Sequence, residues 1–327
     1  MQIPKRIRER VQWHEMAKQR ANRPVPCLCC WYDVYNFGTC LAKNNWQLGN
    51  AAVLELMEVL NNVYNVAAGY RLPTGSHVTV PRLDRVLVLN DGVARTTDVS
   101  ESEEPHLMAQ YLVQLLSKHY LLAPILDREG LGLRTVLAGG ERIQYAPTGV
   151  GSDETIESWK ISRDETVDGI LPYNPAEFQM NVAFSRAYII ESAGHKYGIE
   201  NGWLYFDQSF VQTLRSHLPG CIDFEGARYS GELWLTDGTN PLLTVIYDKK
   251  IKLSNVHRLS TTVFRVSEYI VHSALEGELT WIPLDLTRIN AFQEAVASDG
   301  VIDVRRPLPY WVREIEEKWC HRVKHRY

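Results

Sequence analysis

Two acidic residues stand where chemistry can be done. Asp33 closes the apolar run Cys27-Leu28-Cys29-Cys30-Trp31-Tyr32, and Asp91 sits in Asn90-Asp91-Gly92, straight after Arg85-Val86-Leu87-Val88-Leu89. A short continuous apolar run suits a strand buried on both faces, and Asn-Asp-Gly is the chemistry of a tight hairpin turn. Two carboxylates at neighbouring strand ends suit Mg²⁺ or Mn²⁺, which take carboxylates together with substrate phosphates. The chain after Asp33 is expected to turn into a helix, offering backbone N–H groups to a triphosphate. Taken singly, each acid also has a plain role: the turn forms without metal, and Asp33 can cap a helix. Their joint placement is what points to a cation.

Other elements must hold these ends in place. Val53, Leu56, Met57, Leu60 and Val63 recur at three- and four-residue spacing, which predicts a helix stopped near Gly69. After the hairpin, Val93-Ala94-Arg95-Thr96 returns as a strand. Leu107, Met108, Tyr111, Leu112, Leu115 and Leu116 mark a helix over 104–120, and Leu133–Ala138 is a strand running into Gly139-Gly140-Glu141. The polar stretch 146–177 reads as an insertion, followed by a helix over 178–193 and a strand over 203–206. The order β-α-β-β-α-β, then α-β, fits an α+β fold in which two helices cover one face of a split βαβ antiparallel sheet. From about Cys221 the texture becomes β-rich. Glu232–Thr236 and Leu242–Tyr247 flank the turn Asp237-Gly238-Thr239-Asn240-Pro241, 263–275 reads as strand or helix, and the basic, aromatic tail 310–327 has a helical look. The expected division is a helical segment at 1–23, a sheet-and-helix domain at 24–215 and a β-containing C-terminal extension at 216–327.

In this order the motifs resemble the catalytic domain of class III nucleotide cyclases, the fold of adenylyl and guanylyl cyclases. Trp31-Tyr32-Asp33-Val34-Tyr35-Asn36-Phe37-Gly38 matches the family form F-x-D-I-x-G-F-T at Asp33, at Phe37 and conservatively at Val34, with Asn36 in place of the glycine. Leu89-Asn90-Asp91-Gly92 is similar to the hairpin that carries the family's second metal aspartate. Arg134-Thr135-Val136-Leu137-Ala138-Gly139-Gly140-Glu141 resembles the strand R-x-G-I-x-x-G-E, and Ala187-Tyr188-Ile189-Ile190-Glu191 resembles the late helix N-x-A-A-R-L-E. The likeness spans about Pro24 to Arg215. It implies a ferredoxin-like split βαβ sheet of class III cyclase type. It also implies Mg²⁺ or Mn²⁺ on Asp33 and Asp91 with help from the Val34 carbonyl, a triphosphate cradled by Val34, Tyr35, Asn36, Phe37 and Gly38, and a homodimer.

The resemblance also has departures. The positions of the family's ribose-orienting Asn and transition-state Arg hold Ser185 and Ile189. Asn181 and Arg186 stand nearby, but five residues of helix turn one about 140° from the other. The two base-reading positions hold Leu87 and Phe178, so the usual purine-recognising pair is missing. Arg134, Arg186, Arg85 and Arg95 are candidates for the missing phosphate charge. The implied activity is metal-dependent conversion of a nucleoside triphosphate to a 3′,5′-cyclic nucleotide and pyrophosphate, with Asn181, Ser185 and Arg186 as catalytic candidates and non-standard base choice. The alternative is a catalytically silent cyclase-like module that binds a nucleotide or a partner in signalling or defence.

Composition sets the background. The chain has 327 residues, 45% of them hydrophobic, with 35 basic against 39 acidic side chains, which is enough for a packed core and gives no general attraction to nucleic acid or an anionic membrane. No stretch approaches the roughly 18 apolar residues of a membrane helix, and the basic start Met1–Arg10 lacks the apolar run of a signal peptide. A cytoplasmic protein with neither membrane nor nucleic-acid partner is expected. Of the cysteines, Cys27, Cys29, Cys30 and Cys40 crowd into one apolar segment, unlike a spaced disulfide framework, and alternation along a buried strand makes them core residues. Cys320, His321 and His325 read as surface residues.

Overall fold

The computed structural model describes residues 24–68, 84–100, 104–143, 157–160, 170–173, 178, 180–226, 230–277, 279–285, 287 and 289. Along the chain, β1 (Pro24–Tyr35) is followed by α1 (Phe37–Lys43), α2 (Ala51–Ala68), β2 (Arg85–Leu89), β3 (Gly92–Asp98), α3 (Pro105–Arg128) and β4 (Gly132–Ile143). Next come β5 (Glu157–Lys160), β6 (Ile170–Tyr173), α4 (Val182–Ala193), β7 (Leu204–Asp207) and α5 (Gln208–His217). The last elements are β8 (Ile222–Gly226), β9 (Gly231–Thr236), β10 (Pro241–Val256), β11 (Leu259–Val271), α6 (Ser273–Glu276) and β12 (Thr280–Pro283). The protein is thus α+β, with six helices and one large, mostly antiparallel sheet of twelve strands among the described residues.

β1 is the strand its apolar run predicts, but it is longer than the run. It passes Asp33 because its two edges end at different places. Pairing with β3 stops at Asp33 opposite Gly92, whereas pairing with β4 continues to Tyr35 opposite Gly132. The predicted hairpin joins β2 to β3, with Asn90 in the left-handed region at φ 51°. Four strands therefore lie in the order β2-β3-β1-β4, each antiparallel to its neighbours, with helices in the connections from β1 to β2 and from β3 to β4.

Alternation along β1 divides the core in two. Leu28, Cys30, Tyr32 and Val34 face a cluster containing Val53, Leu60 and Val63 of α2, Met108, Leu112 and Leu115 of α3, and Phe210 and Leu214 of α5. Cys27, Cys29 and Trp31 face the other side, where Ala183, Ala187 and Ile190 of α4 cover them. α4 starts later than its predicted residue 178. The Asn181 side chain accepts a hydrogen bond from the Phe184 N–H at 2.9 Å and so caps the helix.

The full order is β5-β6-β2-β3-β1-β4-β7-β11-β10-β9-β8, with β12 also on β11. Within the stretch expected as an insertion, β5 and β6 pair with each other and extend the sheet beyond β2, at Val86 opposite Tyr173. At the other side, Val263 of β11 pairs opposite Asp207 of β7, so the sheet runs on across residue 215 into the C-terminal strands. The segment with two possible readings, 263–275, is mostly strand. The N-terminal segment 1–23, Gly69, the tail 310–327 and Cys320, His321 and His325 lie outside the described residues. Among the described residues no helix is long and apolar enough to cross a membrane.

Candidate functional site at the Asp33–Asp91 end of the sheet

Asp33 follows Trp31 by two residues and so leaves β1 on the face that α4 covers. The hairpin brings Asp91 alongside: the Val34 N–H donates to the Asp91 carbonyl at 3.0 Å, one step beyond the last β1–β3 pair. Two neighbours hold the hairpin. The Tyr64 hydroxyl, from α2, donates to the Asn90 carbonyl. Gly92 has no side chain because the Trp31 indole occupies that space; a Cβ there would stand 2.0 Å from the ring.

A third carboxylate completes this end. Glu191, in the last turn of α4, lies close enough to Asp33 for their charges to interact and accepts from Arg134 Nη1 at 2.7 Å. Arg134 is buried on β4, directly opposite Asp33, with Nη2 donating to Asn201 and its guanidinium 5.6 Å from the Tyr35 ring centre. Electrostatics follow from that crowding. Burial first, then the charges of Glu191 and Asp91, push the Asp33 carboxyl up to about 8. Burial also raises Asp91, and it raises Glu191 against the opposing pull of Arg134. Burial and the Asp91 charge push the Tyr64 phenol up to about 12. Of the three carboxylates, only Glu191 is paired with the guanidinium.

The remaining candidates fall elsewhere. Val34 and Phe37 are buried in the α2/α3 cluster, Asn36 takes φ 72° at the start of α1, and Gly38 has open space around it. Asn181 is buried at the opposite end of α4 from Glu191, about 15 Å along the axis at 1.5 Å per residue. Its Oδ1 also accepts from the Cys27 thiol at 3.6 Å, and its Nδ2 donates to Thr96 Oγ1 at 3.1 Å. Ser185 is exposed and donates back to the Asn181 carbonyl. Arg186 binds Asp207 at 2.7 Å, Ser209 at 3.0 Å and Thr261 at 3.0 Å. The fold therefore joins Asp33, Asp91, Arg134 and Tyr35, and holds Asn181, Ser185 and Arg186 in a second region. Leu87 and Phe178 share one apolar cluster with Trp31.

Glu191 entered the sequence reading only as the end of a motif. Its signal was the spacing Ala183, Ala187, Glu191, which puts a carboxylate on the buried stripe of α4. Asn201 had no local signal, because it is brought in by the loop between α4 and β7. Among the described residues no group of three or more His, Cys, Asp or Glu side chains is arranged to hold a metal by itself. Mg²⁺ does not require such a group, since it binds through one or two carboxylates and keeps its other positions for water and phosphate. Burial is the first cause that raises the Asp33 and Asp91 carboxyls. No family model matches this chain, and no curated protein matches it significantly.

Proposed function

We propose that the Asp33–Asp91 end of the sheet is a divalent-cation and nucleoside-triphosphate site of the class III cyclase kind. On this reading the protein is a cytoplasmic homodimer that converts a triphosphate to a 3′,5′-cyclic nucleotide and pyrophosphate. The observation that carries the reading is the juxtaposition of two under-neutralised carboxylates at the adjoining ends of β1 and the β2–β3 hairpin. The strand order β2-β3-β1-β4 supports a ferredoxin-like sheet of cyclase type. Free, buried Cys27, Cys29 and Cys30 suit a reducing compartment.

Asp33 and Asp91, with the Val34 carbonyl, would hold Mg²⁺ or Mn²⁺, which supplies Lewis-acid activation of the ribose 3′-hydroxyl and charge for the leaving pyrophosphate. The chain's own residues prepare that end. Tyr64 fixes the Asn90 carbonyl, the Trp31 indole packs over Gly92, and Glu191 stands behind Asp33. Leu87 and Phe178 are buried with Trp31 and give no hydrogen bond to a base edge, which suits a base choice unlike that of purine cyclases.

One observation favours the second reading, a nucleotide-binding module without turnover: Asn181 serves as a helix cap and Arg186 is engaged with Asp207. Incubation of the full chain with each of the four nucleoside triphosphates and Mn²⁺ separates the two. Cyclic product with pyrophosphate, lost in Asp91→Asn, is the expected result. A Mn²⁺-dependent rise in melting temperature with a triphosphate but without product selects the silent module. Neither product nor shift overturns both.

A further inference from the structure

Arg134 and Asp33 are register partners on β4 and β1, and paired residues leave a sheet on the same face. A guanidinium so placed is the natural partner of that carboxylate, and a direct bidentate pair would neutralise Asp33 before any cation reached it. No such pair is made. Arg134 turns instead to Glu191, with Nη1 2.7 Å from the carboxylate and 2.5 Å from the main-chain carbonyl, and its Nη2 donates to Asn201. Its Nε is buried without an acceptor, so the guanidinium retains capacity for one more. Glu191 is also near enough to Asp33 for their charges to interact. Burial of Arg134 gives the guanidinium little solvent to retreat into if these contacts go.

We infer that Glu191 and Asn201 are positioning residues: by holding Arg134 they keep it off Asp33 and leave that carboxylate to a divalent cation. This rests on the cation reading of the Asp33–Asp91 end. It assigns Arg134 to holding the end of α4 on β4, and removes it from the candidates for binding phosphate. Partners of this kind, one step behind the metal ligands, set affinity without touching the ion.

The test is Mn²⁺ affinity of the full chain, read from the electron paramagnetic resonance signal of free Mn²⁺, with a thermal melt of every variant. Glu191→Ala is expected to weaken Mn²⁺ by about tenfold or more, the usual cost of losing such a partner, and Asn201→Ala by less. The deciding variant is Arg134→Gln combined with Glu191→Ala. With no guanidinium left to occupy Asp33, it recovers to within about threefold of the parent, a coupling that independent sites do not show. A merely structural role predicts a double variant no better than the single. Glu191→Gln keeps the side chain's size and tests the charge should Glu191→Ala fail to fold. Tight Mn²⁺ binding by the parent, unchanged in both Glu191 variants, overturns this inference alone. Absence of Mn²⁺ binding by the parent overturns it together with the cation reading.

Discussion

Two carboxylate clusters flank α4, and they differ in how they are satisfied. Asp207, where β7 ends, is fully buried, yet it is met by the Arg186 guanidinium at 2.7 Å and by the hydroxyls of Ser209 and Thr261. These partners tie α4, β7, α5 and β11 together. At the other end, Arg134 pairs with Glu191 and with neither Asp33 nor Asp91, and all three carboxyls are raised. A buried carboxylate met by a guanidinium and two hydroxyls is a staple, because its charge is already satisfied within the chain. An under-neutralised group marks a place where a cation would be favoured. On the proposed function the chemistry belongs to the Asp33 end, although the sequence had placed catalytic candidates near both.

The largest expected effect breaks the staple. Asp207→Ala leaves Arg186 without its charge partner beside the core, and a loss of about 3–5 kcal/mol in denaturant unfolding is expected. A loss below about 1 kcal/mol, the level of an exposed pair, would end the claim that this cluster holds the sheet together. Next is Gly92→Ala, which drives a methyl into the Trp31 indole. Overpacking of this kind costs about 1–3 kcal/mol, and Mn²⁺ affinity should fall with it because Asp91 moves.

Smaller effects sharpen the contrast. Asn181→Ala removes a helix cap, with an expected cost of about 1 kcal/mol and unchanged Mn²⁺ affinity. If it instead abolishes cyclic product at unchanged stability, Asn181 is catalytic and the division between the two clusters is wrong. The last prediction is a pH dependence. The folded-state pKa of Asp33, about 8, stands above its ordinary value of 3.8, so the folded chain holds the extra proton between those values. Stability therefore falls as pH rises through that window, the sign given by more protons bound in the folded than in the unfolded state. Melts of the parent from pH 5 to 8 should fall more steeply than those of Asp33→Asn, and saturating Mn²⁺ should flatten the parent's slope. Parallel slopes in the two proteins would falsify the assignment of the proton to Asp33.

Local patterns were enough for the elements that carry the site. The apolar run before Asp33, the Asn-Asp-Gly turn and the spacing in α2 and α3 each report on their own backbone, and each element formed where its pattern lay. What was not legible came from long range. β1 outruns its apolar residues because β4 supplies partners as far as Tyr35. The hairpin at 237–241 could be seen, but its membership of the same sheet rests on four register pairs between β7 and β11. Asn181 and Arg186 looked like misplaced catalytic groups, and only the positions of Thr96, Cys27 and Asp207 reveal their other partners.

Residue type and spacing alone thus determined the alternation of strands and helices, the strand that carries Asp33 and the hairpin at Asp91, because these depend on neighbours a few positions away. Tertiary structure decided which charges meet. Glu191, Arg134 and Asn201 come together only when α4 lies across β1 and β4 and its following loop folds back. A carboxylate's charge state is set by the charges and solvent around it, so the difference between staple and site lay in the packing of distant segments.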